Sequence, residues 1–368
     1  MHQKLVQKHD KQIKLFEESI KSQYTRRAYV IYLTKYIEHL GSKFNSLLKE
    51  PNPDPKKIEQ SIIEYIILLK KTKSYGAIHN YLSAIIAFYK INDIILNTNK
   101  IKQFMPEQRK SNKDRAYTHE EILKLLEFAD ERMRTVILLL ASTGMRSGAI
   151  PGLTLSNLEE IEIEVGIKIY KITVYENHHE EHFTYCTPEC AKTIDEYLEM
   201  RKRYGEKLNP NSYLVREQFD VRDPFAISKC QMTVAITLQN KILDLAVRSG
   251  IRKRHTLELD EKHQGGSFRK EVPIAHGFRK FFTTQLVNSK LNPEIREMLL
   301  GHTIGLASAY YKPTDDDFLI EYQKAVNNLT INEVNKLKMK VRKLEIEKSQ
   351  LELLAKDVAL LKRKWKSR

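Results

Sequence analysis

His276, Arg279, His302 and Tyr311 fall within one stretch of the chain: His276-Gly277-Phe278-Arg279, then Leu300-Gly301-His302, then Tyr310-Tyr311-Lys312-Pro313. These residue types can together hold a phosphodiester and attack it without a metal. A guanidinium fork grips two non-bridging oxygens, an imidazole moves a proton, and a phenol supplies the nucleophile.

The elements that must position these groups are legible around them. Pro273 interrupts the chain just ahead, and Phe278, Phe281, Phe282 and Leu286 then follow helical spacing, so a helix is expected to begin near His276. His276 and Arg279 share one face of its first turn, where free backbone N–H groups favour an anion. Asn292-Pro293 predicts the cap and first residue of a second helix, carrying Ile295, Met298 and Leu299 and stopped by Gly301. His302 is therefore expected on a tight turn just past a helix end.

In this order, His-x-x-Arg, Leu-Gly-His and a tyrosine nine residues past that histidine resemble the C-terminal signature of the tyrosine recombinases, the phage-integrase family. The Tyr-Tyr-Lys-Pro form looks like the archaeal integrases of that family. The resemblance implies that Tyr311 is the nucleophile, with Tyr310 as the alternative if the register slips by one. Ser142-Thr143-Gly144-Met145-Arg146 resembles the family's first arginine motif, which makes Arg146 the second guanidinium on the phosphate. The acidic residue usual three positions on is replaced by Ala149. By the same resemblance Tyr311 attacks the scissile phosphate, forms a 3′-phosphotyrosyl bond and releases a 5′-hydroxyl, with neither cofactor nor metal required. His276 takes the phenol proton and His302 hydrogen-bonds the phosphate. The family also carries a lysine between the second and third strands, which protonates the leaving 5′-oxygen. The corresponding turn here, Asn177-His178-His179-Glu180-Glu181-His182, has none. His179 is a possible replacement general acid, and Lys171 or Lys168 is another if the hairpin register differs. The turn also reads as a plain solvated tip. A metal site there is disfavoured, because His-Glu-Glu-His lacks metalloprotease spacing.

Composition agrees with a polyanionic partner. Among 368 residues, 62 Lys and Arg outnumber 47 Asp and Glu, for a formal net charge of +15. The excess lies in residues 1–110 and 330–368, where it can neutralise phosphates of double-stranded DNA on either side of a nearly neutral middle. The three cysteines, Cys186, Cys190 and Cys230, are too few and odd in number for a disulfide framework, and buried thiols in a reducing compartment are expected. Met1 to Asp10 holds no signal-peptide pattern, and no apolar run reaches membrane-spanning length, so a cytoplasmic location is expected.

The expected fold class is mainly α with a small antiparallel sheet (α+β). Residues 1–105 read as a helical domain similar to the family's core-binding domain, which clamps DNA; Tyr24, Arg26, Arg27 and Lys73 are its candidate phosphate contacts. Residues 106–116 read as a polar linker. Residues 117–329 form the expected catalytic domain, opening on a capping box at Thr118 and Glu121. Alternating apolar residues over 160–187 predict three antiparallel strands, with a bulge or twist between Ile169 and Ile172. Residues 251–270 read as a basic loop. From 330 to 368 a basic helix shows a heptad, with Val334, Val341, Lys348 and Ala355 at one position and Leu337, Leu344, Leu351, Val358 and Trp365 at the other. It packs either on its own domain or across on a neighbouring protomer. The resulting expectation is an integrase of a mobile element, working as a homo-oligomer, a tetramer, on DNA. A catalytically impaired DNA-binding protein on the same fold and a chromosome-dimer resolvase are the alternatives.

Overall fold

The computed structural model describes residues 10–41, 44, 53–108, 114–164, 166–229, 231–252, 272–305 and 310–366, with backbone alone at 164, 224 and 359–366. The chain divides into two compact units at residues 112–113. The basic stretch of 253–271, the segment 109–113 and Cys230 lie outside the described residues.

Polar side chains start the helices of the first unit. In α1 (Asp10–Ser19), α2 (Gln23–Leu40), α3 (Pro55–Lys70), α4 (Tyr75–Ile91) and α5 (Thr98–Lys102), one apolar stripe faces inward. Ser22, Asp54, Ser74 and Asn97 each accept a hydrogen bond from a backbone N–H of the turn that follows, satisfying groups that the helix itself leaves unpaired. Phe16, Leu33, Tyr36, Ile62, Leu82 and Phe88 close over one another in the core. The buried Tyr36 hydroxyl meets Ser61 Oγ at 2.7 Å, and burial pushes its phenol up to about 12.

The second unit is built around α7 (Glu131–Thr143), which follows α6 (His119–Glu127). Val136 to Ala141 are buried on every side of α7, as a helix with no polar face must be. Its cover comes from α8 (Pro188–Arg203), α10 (Ala235–Arg248) and α11 (His276–Asn288), with the short α9 (Pro224–Ser228) between α8 and α10 in the chain. Then come α12 (Pro293–Leu299), α13 (Asp315–Leu329) and α14 (Glu333–Lys366). Cys186 and Cys190 are free buried thiols.

Strands β1 (Leu158–Glu164), β2 (Ile167–Val174) and β3 (His182–Tyr185) form an antiparallel sheet in chain order. The expected irregularity between Ile169 and Ile172 is absent; the register shifts in β1 instead, between Glu162 and Glu164. The apparent change of phase arises because β2 is covered on both faces. Lys168 and Tyr170 reach Asp195 of α8 from one face, while Lys171 reaches Asp315 of α13 from the other. Ile169 and Ile172 are both fully buried as a result.

The tail is rooted in its own unit. The Glu189 carboxylate of α8 accepts hydrogen bonds from the N–H of Ile331 at 2.7 Å and Asn332 at 3.1 Å, and from Asn335 Nδ2 at 3.0 Å. Ile331 is buried and Met339 packs on the core. The heptad residues Val334, Leu337, Val341, Leu344, Leu351 and Val358 are all exposed. No helix among the described residues is long and apolar enough to cross a membrane.

Candidate active site

Helix α7 ends at Gly144, which adopts φ 64° and ψ 8° and returns its N–H to Leu140 O at 3.1 Å. A Cβ on this residue would lie 2.2 Å from the Phe282 ring of α11. Glycine is thus required twice, by the left-handed backbone and by the approach of α11. Gly144→Ala is expected to destabilise the fold by about 2 kcal/mol or more, from overpacking and backbone strain combined. Thermal unfolding checks it, and an unchanged Tm would show that α11 yields without penalty.

That approach brings Arg279 to the end of α7. Its Nη1 donates to Gly144 O at 2.8 Å, and its Nη2 donates to Leu300 O at 2.6 Å and to His302 Nε2 at 2.7 Å. Three segments remote in sequence meet on one guanidinium, which is only 7% exposed. Burial first, and then the like charge of Arg146, pull Arg279 down to about 10, so it remains a cation at neutral pH. His302 Nδ1 donates to Glu297 Oε2 at 2.6 Å. This contact fixes the ring and leaves Nε2 as the atom facing the arginine. The same hydrogen bond holds the Glu297 carboxyl below its ordinary value.

Arg146 is exposed just past Gly144, and Glu180 Oε1 of the β2–β3 turn lies 3.9 Å from its Nη1. His276 stands at the start of α11. Burial, followed by the charges of Lys280 and Arg279, lowers its pKa, so its imidazole is neutral at pH 7 and able to accept a proton.

The β2–β3 turn belongs to this site through His182 and Tyr175, to which the sequence assigns no role of their own. The His182 ring lies 2.5 Å from where a Cβ of Gly301 would be, so the glycine at φ 67° lets the hairpin seat against the turn that carries His302. His182 Nδ1 donates to Glu180 O at 2.9 Å. Tyr175, at the head of the turn, has its hydroxyl 3.8 Å from the Cβ position of Gly148, close behind Arg146. The sequence puts His182 in the turn and leaves Tyr175 unremarked beside it, and neither residue carries a sequence signal of these contacts.

The candidate proton donors for the leaving oxygen lie along the β2–β3 hairpin. His179 is exposed at the tip, its ring tilted against that of His178 at 4.1 Å between centroids. Lys171 is held by Asp315 and Glu159 over the Phe183 ring, and Lys168 by Asp195 and Glu160. Tyr311 packs partly buried against the core. Its phenol is raised by desolvation and then by the carboxylates of Asp317, Glu294 and Glu321. Tyr310 is 88% exposed, and residues 306–309 lie outside the described residues. In the first unit Tyr24, Arg27 and Lys73 are exposed, whereas Arg26 donates to Ile20 O from both Nε and Nη2 and pairs with Glu18 at 3.7 Å. Among the described residues no group of three or more His, Cys, Asp and Glu is placed to hold a metal ion.

Residues 115–316 match the phage integrase family. No curated protein sequence matches the chain. Among solved structures, the Tn1549 transposon integrase in complex with circular intermediate DNA aligns with a TM-score of 0.53 at 15% identity, covering 85% of this chain and 99% of that one. The XerH site-specific recombinase bound to palindromic difH substrate, a post-cleavage complex, gives 0.52 at 18% identity, covering 81% of this chain and 78% of that one. At such identities the likeness is one of fold: helices around a small three-stranded antiparallel sheet.

Proposed function

This chain belongs to the phage integrase family and is a site-specific tyrosine recombinase acting on DNA, and we propose a division of labour among its residues. Tyr311 attacks the scissile phosphate and holds it as a 3′-phosphotyrosyl ester while the 5′-oxygen leaves; the reverse attack by a 5′-hydroxyl rejoins the strand. Neutral His276 accepts the phenol proton, since a phenol is a poor nucleophile at neutral pH. Arg146 and Arg279 face the charge that develops on the non-bridging oxygens, an effect worth several kcal/mol for preorganised donors. His302 hydrogen-bonds the phosphate, its ring held in place by Glu297 at Nδ1.

The observation that carries this reading is Arg279, bonded at once to Gly144 O, Leu300 O and His302 and set beside Arg146. Two cations and an oriented imidazole at one point make an anion cradle. The test is covalent trapping on nicked duplexes bearing candidate attachment sequences, followed by peptide mapping. An adduct on Tyr311 supports the assignment, and one on Tyr310 moves the nucleophile by one residue.

A second reading, a DNA-binding protein with impaired chemistry, draws on the carboxylates around Tyr311, which oppose formation of its phenolate. Sequence-specific binding with no adduct on any substrate would favour it.

The same proposal gives residues 1–105 the role of clamping DNA, with Tyr24, Arg27 and Lys73 free for phosphates, and makes 106–116 the linker to the catalytic residues 117–329. A DNA substrate goes with a cytoplasmic place of action. The exposed heptad face of α14 fits a coiled contact with another protomer in a tetramer on DNA, and a mobile element is the fitting owner of such an enzyme. Deleting residues 345–368 leaves the anchor at Glu189 intact. It is expected to leave Tm unchanged and to reduce the size of the protein–DNA complex in light scattering. A complex of unchanged size would sink the role given to the tail.

A further inference from the structure

Breaking a phosphodiester leaves charge on the 5′-oxygen, and a strongly basic leaving group departs with a proton supplied by a nearby acid. The groups around Arg146 and Arg279 can be taken in turn. His302 has its Nδ1–H on Glu297 and its Nε2 against Arg279. His182 gives its Nδ1–H to Glu180 O, and its Nε2 is closed off from solvent without a partner. Burial lowers its pKa, so this ring is neutral as well. His276 is neutral and suited to accepting a proton. Lys168 and Lys171 are tied to carboxylates along the sheet.

Tyr175 remains. Its backbone sits at φ 57°, a conformation that L side chains rarely adopt and that the surrounding contacts must impose. Its ring packs against His178 and His182, at centroid distances of 6.1 Å and 6.4 Å, and against the core. His182 in turn is locked on Gly301. The ring is thereby fixed between the turn after α7 and the turn before His302. Its hydroxyl lies near Gly148 and engages no hydrogen-bond partner among the described residues.

We propose that Tyr175 is the proton donor to the departing 5′-oxygen, an assignment that rests on Tyr311 being the nucleophile. As the P–O5′ bond breaks, the Tyr175 O–H bond breaks with it and the proton goes to O5′. The phenolate left behind is balanced by Arg146 and Arg279, and it takes the proton back when the 5′-hydroxyl attacks to rejoin the strand. Burial raises the phenol and keeps it protonated at rest; against this Arg146 draws it down, Glu180 pushes it up, and Arg279 draws it down.

The experiment compares single-turnover adduct formation by the full chain on two duplexes. One has an ordinary scissile phosphate and the other a 5′-bridging phosphorothiolate, whose thiolate leaves without needing a proton. Tyr175→Phe retains the ring and its packing. It is expected to slow the ordinary substrate about 10²-fold or more and to cut the phosphorothiolate at the wild-type rate. Equal slowing on both substrates means a structural or phosphate-binding role and overturns the proposal, as does no slowing on either. The selective pattern in His179→Ala instead would transfer the role to His179. If the wild-type chain forms no adduct on either substrate, the assignment of Tyr311 fails, and this proposal fails with it.

Discussion

A Tyr311→Phe chain is expected to bind its DNA site with unchanged affinity and to form no covalent adduct. The substitution removes one oxygen, and that oxygen is the only atom that can become esterified at this position. The ring packing that holds Tyr311 partly buried against the core is retained, so stability is no confounder. Tyr310→Phe is the matched control, because Tyr310 projects into solvent and is expected to leave the adduct yield unaltered. The wild-type pH profile of adduct formation reports on the base. With the His276 pKa held below its ordinary value of 6.5, the imidazole stays neutral as pH falls to that value and gains a proton only beneath it. The acid limb of the rate should therefore lie below 6.5. A limb above 6.5 that persists in His276→Gln would remove His276 from the role of base. An undiminished adduct from Tyr311→Phe would remove Tyr311 from the mechanism altogether.

What could be read from the sequence was governed by short-range physics. Ser74, Thr118 and Asn292 cap helices through hydrogen bonds to N–H groups two or three residues away, so their types and positions suffice to place the helix starts. Gly144 and Gly301 stop helices through their own backbone angles. By contrast, His182 reaches Gly301, and Lys171 reaches Asp315, across more than a hundred residues of chain. Side-chain type gives no hint of either contact. Lys171 reads as a free cation until Asp315 is seen beside it, and His182 reads as part of a solvated turn until the Gly301 turn is seen beneath it. The apparent bulge in β2 failed for the same reason. Alternation assumes one covered face, whereas α8 and α13 provide two.

Arg279→Ala is expected to lower cleavage by 10³-fold or more while leaving most of the DNA affinity, which arises from many phosphate contacts. Unlike the change at Tyr311, this one also reaches the fold. Gly144 O and Leu300 O each lose a donor in a buried place, at a cost of about 1–3 kcal/mol for each unsatisfied group unless water enters, while the exposed His302 loses a partner that water can replace. A lower Tm is therefore expected alongside the lost activity, and activity alone could not separate the two effects. Arg146 provides the separation. It is exposed, and Glu180 at 3.9 Å is too distant for a hydrogen bond, so Arg146→Ala should lose cleavage with little change in Tm. Arg279→Lys adds a further division, since it retains the charge but not the fork that reaches Gly144, Leu300 and His302 together. If its cleavage stays as low as that of Arg279→Ala while Tm partly recovers, the planar geometry is what the phosphate requires. Normal cleavage by Arg279→Ala would refute the cradle, because no other buried cation stands where α7, α11 and the His302 turn meet among the described residues.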